Sequence, residues 1–357
     1  MSEPTDHSVT LTPLAKGPNL FTAPVDQLLT VETDQGVLIK ICLGVALFFT
    51  GSQQEEKRQA VLDILADYRN LVGDQLTWTI NRTTGKWKKI KGFDSYITPL
   101  EWLPTYGQGE WEFVYHGGQR SSDADAYGMA VLGKGQDERI SRLYCQFPID
   151  FFIEREEQLP ALIQRWCEKL KPEHGFAGFW KGQLYGYTQK NKDKVSWLEF
   201  KFGRRFPGLQ IRGAGVSASQ FFSHSLNPGR PKADAWLTIL SDPWLEKLGG
   251  VEHVKEQMGE LPVLEFSGGA ILCAGTKPQL GDNEDPLLNP ALDDYRRYQA
   301  YTLHTFNPYL SAAFDDYRRV AEIIEPVKAK GYLEERGIDW EVFANNFGRV
   351  AKQLGQR

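Results

Sequence analysis

Residues 235–250 of this 357-residue chain read AWLTILSDPWLEKLGG and predict a buried strand that turns directly into a helix. Residues 236–240 form a short apolar run with a β-branched residue, which is typical of a core strand. Asp242 is expected to cap the helix by accepting hydrogen bonds from its first free N–H groups, and Pro243 suits the first helical position because no N–H is needed there. An apolar helix face is predicted from Leu245, Leu248 and Val251.

The same block resembles a family signature. Its order Trp-Leu-Thr-x-Leu-x-Asp-x-Trp-x-x-x-Leu-Gly-Gly resembles the TsiV-like type VI immunity family. Phe-Pro-Gly-Leu at residues 206–209, Phe-Ala-Gly-Phe at residues 176–179 and an amphipathic helix ending at Trp166 are also similar to that family. The resemblance spans about residues 35–275 and implies a protein that protects a bacterium from a toxin delivered by type VI secretion. No catalytic residue belongs to the family pattern, so the resemblance implies none here.

The composition is that of a folded protein with a slightly acidic balance. Apolar residues make up 41% and charged residues 24% of the chain, which is long enough to bury a large core as one domain or two. The formal charge of −5 disfavours a general nucleic-acid binder, because such proteins neutralise phosphates with Lys and Arg. The same balance suits a basic protein partner.

The chain is predicted to be cytoplasmic, without membrane segments. Residues 1–19 lack the basic start and apolar stretch of a signal peptide. The most apolar run, residues 37–49, contains Lys40 and is too short to span a bilayer. The four scattered cysteines are interpreted as free buried thiols in a reducing compartment rather than a disulfide or metal set; they are Cys42, Cys145, Cys167 and Cys273. A cytoplasmic location implies a toxin with a cytosolic target, such as nucleic acid or a nucleotide cofactor.

The pattern along the chain predicts an α+β fold of two loosely similar halves, residues 31–172 and 173–275, with mainly antiparallel sheet and packed helices. A flexible arm at residues 1–30 precedes them. A linker and a helical C-terminal extension occupy residues 276–357. The predicted strands cover residues 37–49, 76–80, 86–90, 110–115, 127–132, 140–147, 176–187, 236–240, 263–266 and 270–273.

Several local signals mark the predicted helices. Ser52 and Glu55 form an expected capping box. Two apolar stripes at helical spacing follow: Val61, Leu65, Tyr68, Val72 and Leu159, Ile163, Trp166, Leu170. The motif Asp-Asp-Tyr-Arg-Arg occurs at residues 293–297 and again at 315–319, either as two similarly started helices with solvated charges or as a docking motif. A further helix is predicted for residues 340–353.

The sequence lacks the common catalytic and metal-binding patterns. Its six histidines are isolated, which disfavours a zinc or di-iron site, and it has no nucleophile elbow, P-loop or dinucleotide fingerprint. Gly-Ala-Gly-Val-Ser at residues 213–217 is interpreted as a turn. Asp123 and Asp125 are interpreted as part of a surface loop rather than a catalytic carboxylate pair. We therefore predict no enzyme activity, cofactor or metal.

Two lysine clusters and the tryptophans have structural interpretations. Lysines within residues 86–91 are expected to protect a hairpin edge, and those within residues 190–194 to be solvated. Most of the ten tryptophans are assigned to the core, among them Trp78, Trp166, Trp197 and Trp236. Two rival functions remain open: an unrecognised hydrolase with a Trp-lined cleft, and a chaperone or adaptor for effector loading.

The resulting hypothesis is an immunity protein that binds its cognate toxin and blocks the active site. A nuclease toxin should have a basic active face, because it holds a phosphate backbone, and an acidic partner surface would speed association. Residues 276–326 hold nine acidic and five basic residues. Toxin contact is predicted at Asp282, Glu284 and Asp285, in a segment with few apolar residues. A plain solvated linker is the alternative.

Overall fold

The computed structural model describes residues 29–33, 36–80, 85–91, 98–107, 109–155, 158–182, 202, 205–206, 208–209, 235–281 and 314–334. The strands are β1 (Thr30–Thr33), β2 (Gly36–Phe49), β3 (Trp78–Ile80), β4 (Trp87–Lys89), β5 (Trp111–His116), β6 (Gly128–Gly133), β7 (Ser141–Phe147), β8 (His174–Lys181), β9 (Leu237–Ser241), β10 (Val263–Phe266) and β11 (Gly269–Cys273). Within the described residues these eleven strands form one antiparallel sheet. Ten follow the order β10-β11-β9-β8-β2-β7-β6-β5-β3-β4, and β1 pairs with β2 beside this path.

Helices accompany the sheet, so the predicted α+β class with mainly antiparallel strands is confirmed. Those in the described residues are α1 (Glu55–Val72), α2 (Pro99–Trp102), α3 (Ile149–Ile153), α4 (Gln158–Leu170), α5 (Asp242–Lys247), α6 (Val251–Met258) and α7 (Asp315–Glu334). The last of them confirms a helix in the C-terminal extension. None of the helices described is long and apolar enough to cross a membrane.

Strand β2 lies at the centre of the sheet and joins its two sides. It pairs with β7 on one side and with β8 on the other, so the sheet is continuous across the predicted boundary between residues 172 and 173. The Trp180 side chain of β8 lies close to Gly44 of β2, where an added Cβ would lie 1.8 Å from Cδ2 of the indole. Only a glycine leaves room there for the Trp180 indole ring. The division into two similar halves stays a prediction.

Both faces of β2 are buried from Ile41 to Phe49, which explains why no charged residue occurs in that stretch. Leu43, Val45 and other alternate residues of one face belong to a core cluster that also holds buried side chains of α1 and α4. On the opposite face, Phe48 belongs to a second cluster with Phe176 and Trp180. The sheet is therefore an interior layer at its centre.

The region around residues 235–250 is a strand followed by a helix, as predicted, but the predicted cap is wrong. Ser241 occupies the cap position and makes no side-chain cap hydrogen bond, while Asp242 is exposed as the first helical residue and Pro243 follows it. The helix is also shorter than expected. It ends at Lys247, because Gly249 and Gly250 adopt φ angles of 95° and 94° that only glycine adopts readily, and α6 starts anew at Val251.

The predicted capping box at Ser52 and Glu55 is also wrong. The Ser52 hydroxyl donates to the backbone carbonyl of Lys134, and Gln54 is the cap residue of α1 without a side-chain cap hydrogen bond. The amide of Gln53 donates to the carbonyls of Gly109 and Lys134, at 2.8 Å each. These polar side chains tie the start of α1 to neighbouring loops instead of to the helix itself.

The remaining core predictions are mostly confirmed. All four cysteines are buried and free, Trp166 and Trp236 are fully buried, and Trp78 is half-buried. The hairpins β3–β4 and β10–β11 pair as expected. Several predictions fall outside the described residues: the arm at residues 1–28, Trp197, the lysines of residues 190–194, the turn at 213–217, the motif at 293–297 and the helix at 340–353.

Candidate functional site

The three residues predicted to contact the toxin, Asp282, Glu284 and Asp285, lie outside the described residues. Their role stays a prediction. The neighbouring acidic segment that is described, the start of α7, lies against α6.

The Asp-Asp-Tyr-Arg-Arg motif at the start of α7 attaches this helix to the rest of the molecule. Tyr317 is buried, and its hydroxyl accepts a hydrogen bond from the N–H of Gln279 at 3.1 Å. Arg319 donates to the carbonyl of Met258, the last residue of α6, at 3.2 Å. Arg318 forms an ion pair with the exposed Asp315 at 3.0 Å. The motif therefore combines a buried anchor with solvated charges at a helix start.

An acidic surface that the sequence reading missed lies on α5, α6 and β10. We call it the acidic end, and it comprises six exposed carboxylates: Asp242, Glu246, Glu252, Glu256, Glu260 and Glu265. The segment that carries them holds only two lysines, so six carboxylates against two lysines leave a formal charge of −4, compared with −5 for the whole chain. The signal was present in the sequence as the charge of residues 242–265. The sequence interpretation missed this surface because only the strand order places these residues at one end of the sheet.

Both lysines of the acidic end are engaged by neighbours. Lys255 Nζ lies 2.7 Å from a carboxylate oxygen of Glu252 and 2.6 Å from one of Glu265. These hydrogen bonds raise the pKa of Lys255 and link α6 to β10. Lys247 lies over the ring of Trp244, with its Nζ 4.9 Å from the ring centroid.

Three carboxylates of the acidic end have no ion pair within the described part of the chain: Asp242, Glu246 and Glu260. Glu256 lies 3.7 Å from Nδ1 of His253, a contact that is ionic only when the imidazole is protonated. The acidic end therefore presents negative charge to solvent at neutral pH.

The acidic end is held firmly against the rest of the fold. The Gln164 side chain of α4 donates to the carbonyl of Glu265 at 2.6 Å. A carboxylate oxygen of Glu168, also on α4, accepts from the N–H of Ser267 at 2.9 Å. Half-buried apolar side chains, Leu261 and Val263 among them, lie beside the carboxylates and pack on the core.

The opposite end of the sheet carries a group of exposed lysines. Within the described residues β4 is the last strand of the path, and the exposed lysines around it are Lys86, Lys88, Lys89 and Lys91. This agrees with their interpretation as protectors of a sheet edge. Strands in a sheet lie about 4.8 Å apart, so the ten-strand path separates its two end strands by roughly 40 Å. The described fold is therefore electrically asymmetric along the sheet.

The interpretation of Asp123 and Asp125 as a surface loop is wrong. Asp123 is buried, and its carboxylate accepts hydrogen bonds from the N–H groups of Val37 at 3.3 Å and Arg120 at 2.9 Å. Asp125 accepts from the N–H of Tyr127 at 2.8 Å and lies 4.0 Å from Nζ of Lys40. Burial raises the pKa of Asp125. Both carboxylates fasten the β5–β6 loop, with Asp123 bonded directly to β2.

Burial also shifts the pKa of other titratable groups in the core. Burial raises the pKa of Cys42 and of Cys167 beyond the physiological range, so these thiols are not nucleophiles. Burial lowers the pKa of His116 to about 4, and its ring is neutral. In the ranges that the structure describes, no group of three His, Cys, Asp or Glu residues could hold a metal ion.

Comparison with known proteins adds two findings. The family model described as "TsiV: Type VI immunity for VRR-NUC" matches residues 60–330, which is most of the chain. The solved structure of the "Pseudomonas aeruginosa T6SS protein PA0821" is similar in fold, with a TM-score of 0.63 and 18% sequence identity, over 84% of this chain and 78% of that chain. At that identity the similarity shows the fold alone. No curated protein sequence matches this chain.

Proposed function

This chain belongs to the TsiV family of type VI immunity proteins, and from that premise we propose that it acts in the cytoplasm, where it binds a cognate nuclease toxin and blocks its active site. The family match is the observation that carries the proposal. The family description names VRR-NUC as the partner. A nuclease that cuts nucleic acid in the cytosol must be met in the same compartment.

The charge of the chain supports a nuclease partner. A nuclease active face must hold a phosphate backbone, so it carries a basic surface that any acidic competitor can occupy. The chain has a net charge of −5, and we propose that its acidic residues compete with nucleic acid for that basic face. Asp282, Glu284 and Asp285 remain proposed contacts on the strength of the sequence alone.

We propose that neutralisation is stoichiometric and not enzymatic. The buried carboxylates and thiols of the described core have structural roles: Asp123 accepts two backbone hydrogen bonds, and burial raises the pKa of the cysteine thiols. A toxin inhibitor needs only an interface of adequate size and complementary charge.

The proposed blocking mechanism predicts that this protein displaces nucleic acid from its toxin. The probe is a fluorescent DNA duplex bound to a catalytically inactive variant of a candidate VRR-NUC toxin. Addition of the immunity protein should return the fluorescence anisotropy to that of free DNA, with an end point at one immunity protein per toxin. A ternary complex that keeps the DNA bound would contradict occlusion and indicate distortion of the active site instead. A matched control is an unrelated acidic protein of similar size and net charge, which should leave the DNA bound to the toxin.

A further inference from the structure

We propose that the acidic end of the sheet, on α5, α6 and β10, is the surface that receives the phosphate-binding face of the toxin. The inference rests on the proposed function and names the part of the molecule that performs it. The occupant is a basic protein surface built to bind phosphates, and the argument for it is charge complementarity on a firmly held helix-and-edge-strand surface.

Charge favours this end over the rest of the described surface. Its six carboxylates, set against Lys247, Lys255 and the Arg319 side chain that reaches the end of α6, leave a formal charge of −3. All six carboxylates are exposed. Exposed carboxylates keep their hydration until a partner arrives, and a cationic partner then replaces water with charge-assisted hydrogen bonds.

The contacts of the two lysines leave part of the negative charge of the acidic end available to a partner. Lys255 is engaged by Glu252 and Glu265, and Lys247 lies over an indole ring. The carboxylates without an ion pair in the described residues are therefore the ones left to meet cations from outside: Asp242, Glu246 and Glu260.

The acidic end is also fixed in place before a partner binds. Lys255 holds α6 to β10, Gln164 and Glu168 hold the β10–β11 hairpin to α4, and Arg319 holds α7 to the end of α6. A surface fixed before binding loses little conformational entropy when the partner docks. The half-buried Leu261 and Val263 add apolar contact area of the kind found at the centre of protein interfaces.

The basic hairpin at the far end of the sheet makes the docking directional. Lysines around β4 and carboxylates around β10 lie at opposite ends of the strand path. A basic toxin face is attracted to one end and repelled from the other, so the molecule approaches with the acidic end forward. This orientation acts on the association rate, because steering operates before contact.

The test compares three charge-neutralised variants of the full chain. The first, Glu246→Gln/Glu256→Gln/Glu260→Gln, removes three carboxylates of the acidic end and leaves the Lys255 bridges intact. The matched control, Glu101→Gln/Asp137→Asn/Glu138→Gln, removes three exposed carboxylates elsewhere. The third, Asp282→Asn/Glu284→Gln/Asp285→Asn, tests the contact predicted from sequence. Association and dissociation with the inactive toxin are measured at low and at physiological salt, and thermal melts of each variant verify folding.

The first variant should associate about tenfold more slowly than the wild type at low salt, with a smaller difference at physiological salt. The control should stay within about twofold of the wild type, because net charge alone steers weakly. An acidic-end variant that associates like the wild type, or no more slowly than the control, would overturn the inference. So would a loss confined to the third variant. Failure of the wild type itself to bind would instead refute the proposed function.

Discussion

His116 is buried at the end of β5, next to two tryptophans. Its ring stacks on Trp78 with centroids 6.4 Å apart and meets Trp87 edge-on at 5.0 Å. Nδ1 accepts a hydrogen bond from the N–H of Gly118 at 3.1 Å, which requires that nitrogen to be unprotonated. At the scale of the residue, this imidazole is a neutral structural group. Its protonation at low pH should lower the stability of the fold.

Folding stability should fall as the pH drops from about 6.5 towards about 4. Burial lowers the pKa of His116 from 6.5 to about 4, so the unfolded chain binds the proton first, and stability is fully present only above the unfolded value. The loss reaches at most about 3 kcal/mol. Urea denaturation across this range should show a shallower pH dependence for His116→Asn than for the wild type. Equal slopes for His116→Asn and wild type would show that folding does not lower the pKa of His116.

Trp236 is a second residue whose burial can be measured. It is fully buried, donates from Nε1 to the carbonyl of Gly275 at 3.1 Å and meets Phe152 edge-on with ring centroids 5.4 Å apart. Trp236→Ala should therefore lower the free energy of unfolding by about 3–5 kcal/mol. Asp242→Ala should cost only about 0.3–1 kcal/mol, because the carboxylate interacts with the helix dipole without capping it. A Trp236→Ala protein that melts like the wild type would show that the indole is not part of the core.

At the scale of elements, the strands were predictable because a half-buried strand has alternating apolar residues and a fully buried strand has a continuous apolar run. Strand β2 and the hairpin β10–β11 fall where their patterns predicted them. The helix starts were less predictable. Ser52 has the right spacing from Glu55 for a capping box, yet its hydroxyl binds the carbonyl of Lys134, 82 residues away. Local spacing reports which hydrogen bonds are possible, while the tertiary fold decides which of them form.

The pairing of β2 with β8 depends on a single small residue. Gly44→Ala should lower the free energy of unfolding by about 1–3 kcal/mol or more, because the new Cβ would lie 1.8 Å from the Trp180 ring. Gly107→Ala is the matched control, since an added Cβ there meets no atom within 4 Å. Chemical denaturation of both variants measures the difference. Equal stabilities for the two variants would contradict the close approach of Trp180 to β2.

At the scale of the whole molecule, charge is sorted along the sheet. The acidic end and the lysine hairpin lie on opposite sides of a ten-strand path. The sequence showed an acidic excess and pointed to Asp282, Glu284 and Asp285. The acidic excess of residues 242–265 was also visible in the sequence, but the position of this segment at one end of the sheet depends on the order of strands β9 to β11. The family resemblance was confirmed, while the toxin-binding surface stays a proposal.

The measurement that tests the central claim most directly is a titration of toxin activity by this protein. A purified candidate VRR-NUC toxin is given a DNA substrate, and the residual cleavage rate is followed as the full-length immunity protein is added at concentrations far above the dissociation constant. Stoichiometric neutralisation predicts a linear fall that ends at one immunity protein per toxin, together with co-migration of the two proteins in size-exclusion chromatography. Full cleavage activity in the presence of excess immunity protein, or complete inhibition by a small fraction of an equivalent, would contradict it.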